Sequence, residues 1–251
     1  MKNSAFLIAP ALALGALALS TSPALAADTT TYQANLAAIN GSNASGTFML
    51  TLNGDQATVT EKVSGLAATF GGNPYPHVQH IHIGAKGTCP DMSADTNKDG
   101  VISTTEGAPS YGGIGTTLST SGDTSPAAGT DLKVAGMGAS YTYNRTFTLD
   151  AKTADSLKAG TAVVVVHGLD PATLSEAAQK APSDLVPSLP LAATSPALCG
   201  SVKAMPAGAP GTGITTPAPA GPDLGLLAAG GGLLLAAGGA YAARRRMSAT
   251  A

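Results

Sequence analysis

The chain has no tryptophan, and its aromatic residues make up only 4% of the whole. A core built from it must rest on Val, Ala, Leu and Ile. Charge is sparse too: Asp, Glu, Lys and Arg are 11% of the residues, and a formal net charge of −2 is too small to imply a nucleic-acid partner. The sequence holds no Ser-His-Asp, Cys-His or paired-carboxylate constellation of the kind that marks nucleophilic or acid–base catalysis, and no internal repeat. It has two cysteines and four histidines, few enough for each to be weighed singly.

Apolar runs stand out at both ends. Lys2 opens a short positive region, residues 6–19 are apolar, and Ala24-Leu25-Ala26 supplies small residues at −3 and −1, so residues 1–26 read as a secretory signal peptide. An N-terminal anchor is the competing reading, but the run is short for a span. Residues 224–243 carry no charge and, at about 1.5 Å per residue, reach roughly the 30 Å of a hydrocarbon core. Arg244, Arg245 and Arg246 follow at once, which places the tail 244–251 in the cytoplasm and the preceding chain outside. Six glycines weaken this span as a helix. A cell-wall sorting tail also pairs an apolar run with arginines, but no sorting motif precedes this one. The expectation is an exported, single-pass protein of the cell membrane, with the membrane as partner through its C-terminal helix.

Residues 205–223, rich in Pro, Gly, Ala and Thr, read as a stalk. That leaves 28–204 for one domain with a real core. Two cysteines in an exported chain are most simply one disulfide, Cys89 to Cys199. Closing so long a loop removes on the order of 4–5 kcal/mol of unfolded-chain entropy in the simplest account.

Within the domain the apolar pattern mostly has period two. Strands are expected at 32–38, 46–52, 57–63, 77–83, 115–120, 140–149 and 161–167, with Asn53-Gly54-Asp55 turning between the second and third. Short helices are expected only at 153–158 and 171–180. Seven short strands with Gly-rich turns predict an all-β fold, an antiparallel Greek-key sandwich with long loops.

The most specific motif is Asp95-Thr-Asn97-Lys-Asp99-Gly100-Val101-Ile-Ser103-Thr-Thr-Glu106. It matches the twelve-residue calcium loop: side-chain oxygens from Asp95, Asn97 and Asp99, a turn at Gly100, the Val101 carbonyl, a water on Ser103 and a bidentate Glu106. An all-oxygen set suits a hard cation. Cys89-Pro90 before the loop and Gly107-Ala-Pro109 after it argue against a helix–loop–helix sensor. The motif reads as a calcium clip in a long β-connection, and a solvated turn that binds nothing is its plain alternative.

Three of the four histidines fall in His77-Val-Gln-His80-Ile-His82. His80 and His82 are two apart, so on a strand they leave from one face and can chelate a single ion. His167, ending Val163-Val-Val-Val166, can supply a third nitrogen. Imidazoles without carboxylates favour copper or zinc over calcium. Taken alone, His-x-His is more often ordinary core or surface.

Together these features resemble the copper–zinc superoxide dismutase-like sandwich and, more closely, the CHRD (chordin-domain) proteins, over about residues 32–202. His80 and His82 match two copper ligands of the dismutase His-x-x-His-x-His segment, and His77 matches its first histidine, which supports the site without binding copper. Val165-Val166-His167 matches a late copper ligand, and Cys89 with Cys199-Gly200 matches the family disulfide. The resemblance breaks where no histidine lies between His82 and His167, so the bridging and zinc ligands are missing, and where Pro196 replaces the guiding arginine. It therefore implies copper without zinc, and puts dismutase chemistry in doubt.

Three functions remain open on the sequence. The first is a non-enzymatic, surface-tethered CHRD-like metal-binding module, stabilised by calcium and a disulfide and taking copper on His80, His82 and His167. The second is a reduced copper-only superoxide dismutase-like oxidoreductase. The third is an adhesive or architectural domain. No protein partner can be read from the residues.

Overall fold

The computed structural model describes residues 29–206. The expected signal peptide, transmembrane helix and tail, and nearly all of the stalk, lie outside the described residues. Among the described residues no helix is long and apolar enough to cross a membrane.

Three long strands open the domain: β1 (Thr29–Ala38), β2 (Ser45–Asn53) and β3 (Gln56–Ser64). Each alternates as a half-buried strand should, sending Tyr32, Ala34 and Leu36, then Phe48, Leu50 and Leu52, then Ala57, Val59 and Val63 into one core. The two-residue strands β4 (Thr69–Phe70) and β5 (Asn73–Pro74) pair with each other, and β6 (Pro76–His77) pairs with the later β9 (Gly136–Met137). Strand β7 (Gln79–Ile83) is joined to β8 (Gly113–Thr117) by a long connection that carries helix α1 (Thr104–Tyr111). The remaining elements are β10 (Ser140–Thr148), α2 (Ala151–Ala159), β11 (Val163–His167), α3 (Glu176–Lys180), α4 (Leu191–Thr194), β12 (Pro196–Ser201) and β13 (Lys203–Ala204).

All strand pairings are antiparallel, as the alternation predicts. The layers arise differently from the expected pair of sheets. One nine-stranded sheet runs β10-β3-β2-β1-β12-β11-β7-β8, with β13 beside β1, and curls into a half-barrel around the core. Strand β1 joins its two halves, pairing with β2 over eight residues and with Cys199 and Leu198 of β12 through Ala37 and Ala38.

The expected helix at 153–158 is the centre of α2, capped by Asp150, whose side chain accepts from the Lys152 N–H. The expected helix at 171–180 is broken. A single 3-10 turn at Pro171–Thr173 gives way to extended backbone at Leu174, and α3 restarts on a Ser175 cap. The Asp150 and Ser175 caps satisfy backbone N–H groups that would otherwise be orphaned.

The half of the sheet that matters for chemistry is covered on both faces. All five residues of β11 are buried, as a continuous Val run requires. Val164 and Val166 face the main core, while Val163 and Val165 pack with Tyr111 and Cys199 on the other side. Each buried valine contributes roughly 1.5 kcal/mol or more. The covering layer is the β7–β8 connection, fixed to the rest of the domain at several points. The disulfide Cys89–Cys199 closes it onto β12 across 110 residues of sequence, with Cα atoms 5.8 Å apart. Buried Asn40 fixes it again, accepting from the Ile102 N–H at 2.7 Å and donating to the carbonyls of Ile102 and Pro196.

Candidate metal centre

The strand register brings the histidines together. His80 pairs with Val165 and His82 with Val163, so both side chains leave on the face that the β7–β8 connection covers. His167 follows Val163 and Val165 at period two and shares that face. Its own N–H donates to the Val78 carbonyl at 2.9 Å, which anchors the end of β11 beside β7.

Each ring has one nitrogen engaged. His80 Nε2 donates to the Gly129 carbonyl at 2.9 Å, His82 Nδ1 to the Gly112 carbonyl at 2.9 Å, and His167 Nδ1 to the Thr194 carbonyl at 2.6 Å. A carbonyl can only accept, so these three contacts fix the tautomers. The proton sits on the outer nitrogen, and a lone pair remains on His80 Nδ1, His82 Nε2 and His167 Nε2. Those three atoms are buried and have no hydrogen-bond partner. One ligand nitrogen from each of the three rings lies within 4.8 Å of the others.

Leaving one buried acceptor unmet costs about 1–3 kcal/mol, and three in one place is more than a fold retains without a reason. One ion bound to all three would satisfy them together. The backbone carbonyls behind the rings are the supports expected of metal-binding imidazoles. The rings are also held neutral. Burial pushes the His82 pKa down to about 3, with repulsion from His167 adding to it. Burial takes His167 to about 4, outweighing its hydrogen bond to Thr194. Burial, then repulsion from His167 and His82, holds His80 well below the ordinary histidine value. No carboxylate or thiolate belongs to the cluster.

His77 stands apart from these three. Its Nδ1 and Nε2 face the carbonyl oxygens of His167 and Ala67, each at 2.9 Å. It thus braces the backbone at His167 and contributes no nitrogen to the cluster.

Helix α1 ties the site to the acidic loop, and sequence reasoning missed it. Gly107 and Pro109 argue against a helix there, yet Ser103 and Glu106 form a capping box that starts one. The expectation that the loop lacks a flanking helix is therefore corrected on its exit side. Tyr111, at the other end of α1, lies edge-on to the His82 ring with centroids 4.7 Å apart. Gly112 then offers its carbonyl to His82. Its φ is +92°, and a Cβ on this residue would stand 2.0 Å from the Ile83 oxygen, so only glycine fits. At the start of the helix, Thr104 Oγ1 donates to the same Thr194 carbonyl that receives His167.

The acidic loop itself is closed by its own N–H groups. Asp95 accepts from Gly100, Asn97 from Asp99, and Asp99 from Val101, each at 2.8–2.9 Å. Glu106 accepts from the N–H groups of Thr96, Asn97 and Ser103 and from the Thr96 hydroxyl. Partial burial would raise the Glu106 pKa, but these donors outweigh it and hold the carboxyl at about 2. Asp95 Oδ1 is buried without a partner. Ser103 spends its hydroxyl on the Glu106 N–H, and Val101 packs in the main core. Among the His, Cys, Asp and Glu side chains of the described residues, only the three histidines bring three ligand atoms within 4.8 Å of one another.

No family model matches this chain, and no curated protein matches it. The chemistry of the site rests on its own geometry.

Proposed function

We propose that this chain is an exported, membrane-tethered metal-binding domain of the CHRD and superoxide dismutase-like kind. It holds copper through His80, His82 and His167 without catalytic turnover. The observation that carries this is the convergence of three neutral, buried imidazole nitrogens that have no other partner. Neutral nitrogen donors without carboxylates suit copper or zinc, and the resemblance favours copper. The all-antiparallel curled sheet and the Cys89–Cys199 bridge support the superoxide dismutase-like part of the reading. The test is elemental analysis after exposure to copper, zinc and calcium. Wild-type protein retains one copper per chain, and a His80→Ala, His82→Ala variant retains none. Equal copper in both proteins, or none in either, defeats the proposal.

Calcium in the loop from Asp95 to Glu106 belongs to the same reading. It is supported by the unpartnered Asp95 Oδ1 and by Glu106 standing in the first turn of α1. Chelation of calcium then lowers the melting temperature of the wild type but not of Glu106→Gln. A second reading, a copper-only dismutase-like oxidoreductase, draws support from the three-nitrogen set, which leaves a coordination position for a substrate. Superoxide turnover that tracks copper content would establish it.

A further inference from the structure

The histidine cluster lies in the wall of a cavity of about 400 Å³, a volume within the range of small-molecule sites. His80, His82 and His167 all line it. Facing them are Val78, Ala108, Ile114, Pro126 and Leu185, together with threonines and glycines. No Asp, Glu, Lys or Arg lines the cavity, so nothing on its walls can steer or hold a charged group.

Its walls are held in place. Ala108 belongs to α1, which is pinned at Thr104 and Gly112 as described. Leu185 sits on the turn before α4, at 51% exposure. That turn is closed by the Ser183 hydroxyl, which accepts from the N–H groups of Leu185 and Val186 and from the Thr194 hydroxyl. Asp184, next to it, accepts from the Thr105 N–H in the first turn of α1 and so fastens the turn to the helix. A half-exposed leucine in its wall and a lining without charged side chains describe a ligand pocket more than a solvent channel.

We propose that this cavity binds a small organic molecule that gives one donor atom to the metal and buries an apolar body, of aromatic-ring size or larger, against α1 and Leu185. The inference rests on the metal reading above. Three protein nitrogens leave a fourth coordination position for an outside ligand. The shape and chemistry of the walls then decide what accompanies that donor. A small hydrophilic ligand leaves the apolar walls uncovered, whereas an aromatic or branched-aliphatic group removes them from water.

The experiment compares imidazole with 4-phenylimidazole on full-length protein loaded with Cu2+, followed by the visible absorption of the metal. The reference is Cu2+ held by an exposed three-histidine peptide, which offers the phenyl group no wall. Relative to that reference, the phenyl group strengthens binding to the protein by about tenfold or more, equivalent to about 1.4 kcal/mol. Ala108→Phe, which fills the cavity from α1, retains copper and returns the ratio to that of the peptide. A wild-type ratio equal to the peptide's overturns the pocket while leaving the metal site standing. Failure of the wild type to retain copper overturns both.

Discussion

Glu61 offers the sharpest test of how this fold treats buried charge. It lies on β3 opposite Tyr143 of β10, fully buried, and neither carboxyl oxygen has a hydrogen-bond partner. Burial raises its pKa from 4.5 to about 8. The folded protein thus keeps a proton that the unfolded chain releases above pH 4.5. Between pH 4.5 and 8 the folded state binds more protons than the unfolded one, so this residue makes stability fall as pH rises. The slope is about 1.4 kcal/mol per pH unit, which amounts to about 3 kcal/mol by pH 7. Glu61→Met keeps the length of the side chain and removes the proton. Urea unfolding at about pH 5, 6, 7, 8 and 9 measures the difference between variant and wild type, in which the contributions of the histidines cancel. The variant gains on the wild type across this range, by about 2–3 kcal/mol at pH 7, and the gap stops growing above pH 8. A gap that does not change with pH, or a variant less stable than wild type at pH 7, refutes the reasoning.

The histidine cluster predicts the opposite slope at lower pH. With His82 and His167 held near 3 and 4, the unfolded chain takes up protons below pH 6.5 that the folded metal-free protein refuses. Metal-free protein should therefore lose stability as pH falls from about 6.5 to 4, and replacing His82 and His167 with Gln should flatten that fall in thermal melts. Gly112→Ala forces a Cβ against the Ile83 carbonyl at an unfavourable φ, so it should destabilise by on the order of 1–3 kcal/mol in urea and weaken copper retention. Reducing Cys89–Cys199, or replacing both cysteines with Ala, should lower unfolding stability by up to about 4–5 kcal/mol, checked by urea melts with and without reductant.

Much of this architecture is legible in the residues because period two speaks plainly. Tyr32, Ala34 and Leu36, or Ala57, Val59 and Val63, announce both a strand and the face it buries. The histidine trio is legible for the same reason, since His80 and His82 share a face and a valine run carries His167 beside them. Helix α1 is hidden because Gly107 and Pro109 are poor helix formers, and its capping box lies inside a motif that already has another reading. The carbonyl supports at Gly112, Gly129 and Thr194 are invisible to sequence. A backbone oxygen has no letter of its own, and the three come from separate connections. Two sheets and one curled sheet also produce the same alternation. Only the register of Ala37 and Ala38 against β12 tells them apart.

Three uncharged rings without a carboxylate have a consequence for oxidation state. An ion seated there keeps its whole charge among rings that are themselves buried, and the self-energy of a buried ion grows with the square of that charge. A doubly charged ion is therefore disfavoured about four times as strongly as a singly charged one in the same surroundings. The protein offers no counter-charge, so the balance falls to the electron count of the metal or to an anion that comes in with it. If the ion is copper, the lack of a counter-charge favours the cuprous form relative to a site that includes a carboxylate.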